Sequence, residues 1–268
     1  MMAEACVLVS GGVDSYVAFF EAVRKFGSDS VIGLFVDYGQ PYVLKEQATI
    51  QKLFLDGGWD VQTIQVPLCE YQRKVTPEDP EVYGRNLLLA FYGALFGKRI
   101  WLSSLESEVG VRPGTWDHGP IFTHTASALF SQIFQSIRPE TILESPFSGM
   151  TKSQVIAHAR LNLDLPVKGL ETTVSCYADT KKPCGECKAC FKRWVAFTNN
   201  SLEEDFRTNP AFSQYATNLV GQMREVVRRK SYDSRLTRAR CVETHNAYLK
   251  AGIFSGKIFS SELELIGA

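Results

Sequence analysis

Short apolar runs alternate with helical patterns along the first third of the chain. Ala5-Cys-Val-Leu-Val-Ser10 is almost continuously apolar until it meets Gly11-Gly12, the pattern of a strand buried on both faces. From Asp14 the apolar positions of Ser15–Phe26 take a helical spacing, stopped by Gly27. Val31–Val36 is a second strand, Val43 to about Leu55 a second helix ending before Gly57-Gly58, and Val61–Val66 a third strand bounded by Pro67. This β-α-β-α-β order predicts a parallel sheet covered by helices.

Beyond Pro67 the pattern loosens. Tyr71–Tyr83 is polar with two prolines and reads as a loop, whereas Asn86–Phe96 is a strongly apolar helix and Arg99–Ser103 a strand. Glu106–Pro120 is glycine-rich and irregular, a loop of the kind that carries function. A helix over Thr123–Ser136 and a short strand over Thr141–Glu144 follow. Thr151 then opens another helix, with Gln154 at the capping-box position. The tail after about Asn199 is largely helical in pattern and carries a basic patch over Arg224–Lys230. The fold expected is α/β, a parallel sheet of about five strands flanked by helices, Rossmann-like. The domain expected at 1–198 includes a cysteine-rich segment at 176–190, and 199–268 forms a helical C-terminal extension.

Composition excludes some classes and leaves others. With 45% apolar and 22% charged residues in 268, the chain is an ordinary globular one. Lys plus Arg and Asp plus Glu both number 29, and a net charge of zero makes nucleic acid an unlikely partner. No run is long and apolar enough for a membrane span, and Met1–Cys6 has no basic leader, so a cytoplasmic protein is expected. For assembly, a homodimer is the state to consider. Of seven cysteines, Cys6, Cys69 and Cys241 are scattered, the usual pattern of reduced, packed thiols.

Two motifs carry chemistry. The first is Ser10-Gly11-Gly12-Val13-Asp14-Ser15 between a strand and a helix. Its glycines let backbone approach an anion, the helix start aims N–H groups at the same point, and the serines add hydroxyl donors, which together make a phosphate cradle. It is not the Walker pattern, because the longer loop and Lys-Ser/Thr pair are missing. The bland alternative is a tight β-to-α turn. The second motif is Cys176, Cys184, Cys187 and Cys190, four thiolates in the number a tetrahedral Zn²⁺ takes. No histidine interrupts the set, so the shell would be filled and the site structural. An iron–sulfur cluster uses the same ligands, and a thioredoxin-like redox pair is the third reading.

The hexapeptide Ser10–Ser15 resembles the PP-loop of ATP pyrophosphatases. With it, Tyr38-Gly39-Gln40 and Glu46, Gly84-Arg85-Asn86, Thr151-Lys152-Ser153, and Ser175-Cys176-Tyr177 through Cys190-x-x-Arg193 resemble the 7-cyano-7-deazaguanine synthase (QueC) family over about residues 5–198. That resemblance implies an adenine nucleotide α-hydrolase-like fold with a small four-cysteine zinc subdomain. It implies ATP and Mg²⁺ as cofactors alongside Zn²⁺, and 7-carboxy-7-deazaguanine and ammonia as substrates. The carboxylate would be adenylated, ammonia would give the amide, and a second ATP would drive dehydration to the nitrile.

It further implies that Ser10, Gly11, Gly12, Val13, Asp14 and Ser15 hold ATP, while Arg85, Asn86, Lys152 and Asp117 act on the reacting groups. For Arg85 the competing reading is a surface residue at a helix start, for Lys152 a solvated first turn, for Asp37 an ordinary turn aspartate. His118 reads as a solvated loop histidine.

The chain departs from the family pattern in three places. Pro41-Tyr42 stands where the family has Arg-His. Val111–Gly119 replaces a Ser-Gly-Tyr-Pro-Asp-Cys-Arg segment, of which Asp117 alone is retained, with Trp116 beside it as a surface for stacking on the base. The third departure is the extension 199–268. Two other functions therefore compete with nitrile formation. One is an enzyme that stops at the amide or couples the deazaguanine to another amine. The other is a non-catalytic nucleotide- or nucleic-acid-binding protein.

Overall fold

In a computed structural model of the chain, residues 3–75, 82–108, 116–138, 140–178, 180–233 and 236–253 are described. Contacts divide them into two compact units, Met1–Gly149 with Thr172–Val174, and Met150–Glu171 with Ser175–Ala268. The boundary drawn from sequence at 198/199 falls inside the second unit.

The first unit is built on five parallel strands, β1 (Ala3–Leu8), β2 (Val31–Asp37), β3 (Val61–Gln65), β4 (Gly97–Trp101) and β5 (Ile142–Glu144), in the order β3-β2-β1-β4-β5. The register pairs Cys6 with Ile32 on one side and with Ile100 on the other. Every residue from Ala5 to Val9 is buried, because β1 is central and both faces are covered. Cys6, Leu8, Leu34 and Ile100 pack on one face with Ala90 and Ala94 of α4 (Arg85–Phe96) and Phe130 of α5 (Pro120–Ile133). Elsewhere in the unit, Phe19 of α1 (Val13–Phe26) meets Phe54 and Trp59, and Phe20 meets Trp59, in edge-to-face contacts, Phe19–Phe54 at 5.0 Å between ring centroids. Helix α2 (Val43–Leu53) completes the second crossover.

Crossovers from β1 through β3 run to one side of the sheet and β4–β5 lie on the other. The order therefore reverses between β1 and β4, and loops at the carboxyl ends of those strands open at the place where α/β sheets bind ligands. The sheet class read from the sequence holds. Strands β1 and β4 each lie two residues earlier than the apolar runs suggest, and two helices differ more. Tyr71–Val75 is helical, in α3 (Leu68–Val75), because Pro67 precedes it and Lys74 pairs with Glu70 one turn back at 2.7 Å. Helix α5 starts at Pro120, the favoured first position, and ends at Ile133.

The second unit contains α6 (Lys152–Leu161), α7 (Val167–Thr172), α8 (Lys188–Asn199), α9 (Gln214–Arg229) and α10 (Arg238–Lys250). Its core joins Phe191 and Trp194 of α8 to Leu219 and Met223 of α9 and to Cys241 and Tyr248 of α10, so the helices after Asn199 share one hydrophobic core with α8. Arg193, 1% exposed, pairs with Glu204, lies 4.1 Å over the Phe197 ring and donates to the Leu170 carbonyl at 3.4 Å. A buried guanidinium with those partners holds α8 against α7, a structural task. The basic patch is partly neutralised on its own helix, where Arg228 and Arg229 both pair with Glu225. Among the described residues no helix is long and apolar enough to cross a membrane.

Candidate active site and metal centre

The loop after β1 turns sharply. Gly11 has φ +69°, and a Cβ there would lie 3.1 Å from the Thr49 side chain and 3.4 Å from the Glu46 carbonyl. Gly12 is the N-cap of α1 and offers no side-chain cap, so the first turn presents N–H groups outward. Ser15 ties the loop to the helix start: its Oγ donates to the Gly12 carbonyl at 3.0 Å and accepts the Ser10 N–H at 3.1 Å. Val13 and Ser15 are buried, Ser10 is exposed and Asp14 half-buried. Val174 N–H donates to the Gly11 carbonyl at 2.9 Å and fixes the loop from the other side. The result is a fixed turn at a helix start, an arrangement of the kind that can receive an anion.

The loop after β2 is held by its own polar groups. Asp37 accepts the Gly39 N–H at 3.0 Å and the Gln65 amide at 3.2 Å, a turn-closing role. Buried Gln40 accepts the Tyr38 N–H at 2.9 Å and donates to Glu46 at 2.8 Å. Pro41-Tyr42 has a consequence, since the Tyr42 hydroxyl lies 3.3 Å from that of Tyr38. Loss of solvent pushes the Glu46 carboxyl up to about 7, against the opposing pull of Gln40 and Arg85. Arg85, the first residue of α4, lies 5.9 Å over the Tyr38 ring. Burial opposes its charge, but Tyr38, Tyr42 and Asp117 outweigh that and leave it firmly protonated.

Asn86 and Asp117, 31 residues apart, meet directly. The Asp117 carboxylate accepts the Asn86 N–H at 3.3 Å, so it caps α4 in place of a Gly84 that has no side chain. Asn86, 4% exposed, donates its amide to the Asp117 carbonyl at 3.2 Å. His118 is not a solvated loop residue. Its ring lies 3.1 Å from the hydroxyl of buried Ser104 and 3.2 Å from the Asn86 amide, with Asp117 3.4 Å away. Ser104 was missed and His118 was read as solvated because only the folded chain brings the loop after β4, the start of α4 and the 116–118 turn together. Residues 109–115 of the irregular Glu106–Pro120 loop, and the Trp116 side chain expected to stack on a base, lie outside what is described. Lys152 stands at the first position of α6, in the second unit.

In that unit the four cysteines converge. All Sγ atoms of Cys176, Cys184, Cys187 and Cys190 lie within 4.8 Å of one another, with Cys184 and Cys190 at 3.8 Å. Four sulfurs around one tetrahedral ion at zinc–thiolate distance stand about 3.8 Å apart. The set therefore fits a single ion, whereas a multi-iron cubane holds its cysteines farther out. Backbone N–H groups of Ala178 and Cys184 point at Cys176 Sγ (3.4 and 3.3 Å) and that of Glu186 at Cys184 Sγ (3.4 Å), the donors a thiolate shell needs.

Cys187 is the N-cap of α8 and accepts the Cys190 N–H at 3.4 Å. A hydrogen bond from the Cys190 thiol brings Cys187 down to about 4, and the same contact raises Cys190. Gly185 makes the turn possible: at φ +80° its Cβ would fall 1.7 Å from the Thr208 carbonyl oxygen.

The family model described as "Queuosine biosynthesis protein QueC" matches residues 82–201. Three relatives carry the name 7-cyano-7-deazaguanine synthase. The Persephonella marina protein is 30% identical over 223 residues, 74% of this chain and 93% of that protein. The Methanopyrus kandleri protein is 28% identical, covering 76% and 97%. The Aquifex aeolicus protein is 29% identical, covering 70% and 93%. The matched span holds the Gly84-Arg85-Asn86 turn and all four clustered cysteines, and near-complete coverage of relatives at this identity leaves one conclusion: the chain belongs to the QueC family of queuosine-biosynthesis proteins.

Proposed function

We propose that the protein is an ATP-dependent carbon–nitrogen ligase that converts 7-carboxy-7-deazaguanine and ammonia into 7-cyano-7-deazaguanine (preQ0), within 7-deazaguanine nucleoside biosynthesis. The observation that carries this reading is the fixed Ser10–Ser15 turn, with Arg85 and Asp117 also at the sheet's carboxyl edge, in a chain whose relatives bear the synthase name.

In this reading the Ser10–Ser15 loop holds the ATP phosphates. A substrate carboxylate oxygen attacks the α-phosphorus and pyrophosphate leaves. Ammonia then adds to the acyl carbon and loses a proton, and the C–O bond to the oxygen that attacked phosphorus breaks, so that AMP departs with that oxygen and leaves the amide. The amide oxygen then attacks the α-phosphorus of a second ATP, pyrophosphate leaves again, and departure of AMP with that oxygen and of both nitrogen protons gives the nitrile.

Arg85, fixed at the start of α4 and always charged, neutralises carboxylate or phosphate oxygens. Asn86 ties the Arg85 turn to Asp117. Asp117 is assigned to the N–H edge of the deazaguanine: a carboxylate has about four acceptor positions, and helix capping uses one. Mg²⁺, when bound, offsets triphosphate charge, with Asp14 in the first turn of α1 as its protein carboxylate. Zn²⁺ is assigned to the four cysteines as a structural ion.

The test is to incubate the pure protein with ATP, Mg²⁺, 7-carboxy-7-deazaguanine and ammonia, then weigh the products. The nitrile is expected. Amide accumulating without nitrile would leave the activation step and overturn the synthase reading. No binding of the base beside a nonhydrolysable ATP analogue, by calorimetry, would remove the deazaguanine altogether.

A further inference from the structure

Amination releases a proton from the attacking nitrogen, and Arg85 brings only donors to the site. Glu46 of α2 stands in the same unit as Arg85 and the Ser10–Ser15 loop. Its backbone carbonyl lies against the turn at Gly11, 3.4 Å from the point a Cβ there would occupy. One carboxylate oxygen, Oε2, accepts the Gln40 amide at 2.8 Å. Gln40 is 3% exposed and accepts the Tyr38 N–H at 2.9 Å, so Glu46 is gripped by a side chain that is itself fixed. The other oxygen, Oε1, takes no hydrogen bond among the described residues. Glu46 is half-buried rather than sealed.

Arg85 of α4 favours the charged form of that carboxyl, and Asp37, at the end of β2, opposes it. Tyr38 and Tyr42 contribute hydroxyls from the loop between, 3.3 Å apart, and Lys45 precedes Glu46 on α2. On α3, Cys69 donates its N–H to the Tyr38 carbonyl at 2.9 Å, and burial raises its thiol. On α1, Asp14 lies in the first turn. Loss of solvent outweighs the pull of Gln40 and Arg85 and leaves Glu46 at about 7. A carboxylate of that strength takes a proton and returns it within the neutral range. An ordinary glutamate, ionised down to about pH 4, is a far weaker base.

We infer that Glu46 is the general base of amination, its Oε1 receiving a proton from the nitrogen as ammonia adds to the acyl adenylate. The inference rests on the proposed function and deepens it. The C–N bond forms and one N–H proton passes to Oε1. The C–O bond to the oxygen held by phosphorus breaks, its electron pair leaves with AMP, and the amide remains. Glu46 then gives its proton to solvent and is a carboxylate again. A Glu46 that only anchored Gln40 would matter equally to adenylation and to amination. A general base matters to the second alone.

The two half-reactions are separable in the full chain. Without ammonia, adenylation is read as exchange of labelled pyrophosphate into ATP in the presence of 7-carboxy-7-deazaguanine. Amination is read as amide formed in a single turnover once ammonia is added. Glu46→Gln keeps an oxygen for the Gln40 amide, so exchange should stay within about twofold of native while amide formation falls about a hundredfold or more. In the native protein, at constant free ammonia, the amination rate should rise with pH and level off above about 7, where the carboxylate is ionised. The glutamine variant should lose that rise. Equal losses in both half-reactions, or near-native amination in the variant, would overturn the inference. If the variant fails to fold, the native profile decides, and a rate that stays flat across neutral pH would overturn it. A native protein that gives no exchange, or exchange without amide, would strike the proposed function itself.

Discussion

Cys187→Ala is expected to abolish metal binding and unfold the second unit rather than selectively slow turnover. The substitution removes one of four sulfurs within 4.8 Å of one another and, at the same stroke, the N-cap of α8. A helix cap alone is worth about 1 kcal/mol. Structural zinc in small domains contributes about 10 kcal/mol or more of apparent folding free energy, against a typical domain stability of about 5–15 kcal/mol. The metal therefore dominates. Helix α8 supplies Phe191 and Trp194 to the core that α9 and α10 share, so loss of its start spreads through the unit. Elemental analysis and proteolysis read the result: native protein should carry one zinc per chain and resist cleavage, and the variant should do neither. A Cys187→Ala protein that keeps its metal, or melts within a few degrees of native, would contradict the structural assignment.

Arg85→Ala is expected to do the reverse, leaving the fold intact and cutting pyrophosphate release about a hundredfold or more. Helix α4 keeps the Asp117 cap and its packing through Ala90 and Ala94, so the melting midpoint should move little. Arg85→Lys should recover only part of the rate, because a lysine lacks the planar fork that grips two oxygens and stacks on Tyr38. Turnover within a fewfold of native in the alanine variant would return Arg85 to the surface role it competes with.

Much of this was legible in the chain. The strands show as apolar runs stopped by Gly or Pro, and the Ser10–Ser15 loop and cysteine cluster carry their chemistry in contiguous residues. What stayed hidden is tertiary. Nothing local says that Asp117 caps a helix beginning at Arg85, that His118 rests on Ser104, or that Glu243 reaches Ser153 across 90 residues. Helix α3 was obscured because only Cys69 among its described side chains is buried, leaving a charged face that reads as loop. A closer look at Pro67 and the Glu70–Lys74 spacing would have found it. Helix α8 is absent from the sequence reading, although Cys187-x-x-Cys190 places a capping sulfur before a helical run.

The central claim is that a substrate carboxylate is activated through the α-phosphorus of ATP. It is tested most directly by supplying 7-carboxy-7-deazaguanine labelled with ¹⁸O in both carboxylate oxygens, together with ATP and ammonia, and weighing the nucleotide products. Adenylation followed by ammonia attack should place one labelled oxygen in AMP, with unlabelled pyrophosphate released in step. Unlabelled AMP, or ADP and orthophosphate in place of AMP and pyrophosphate, would contradict it.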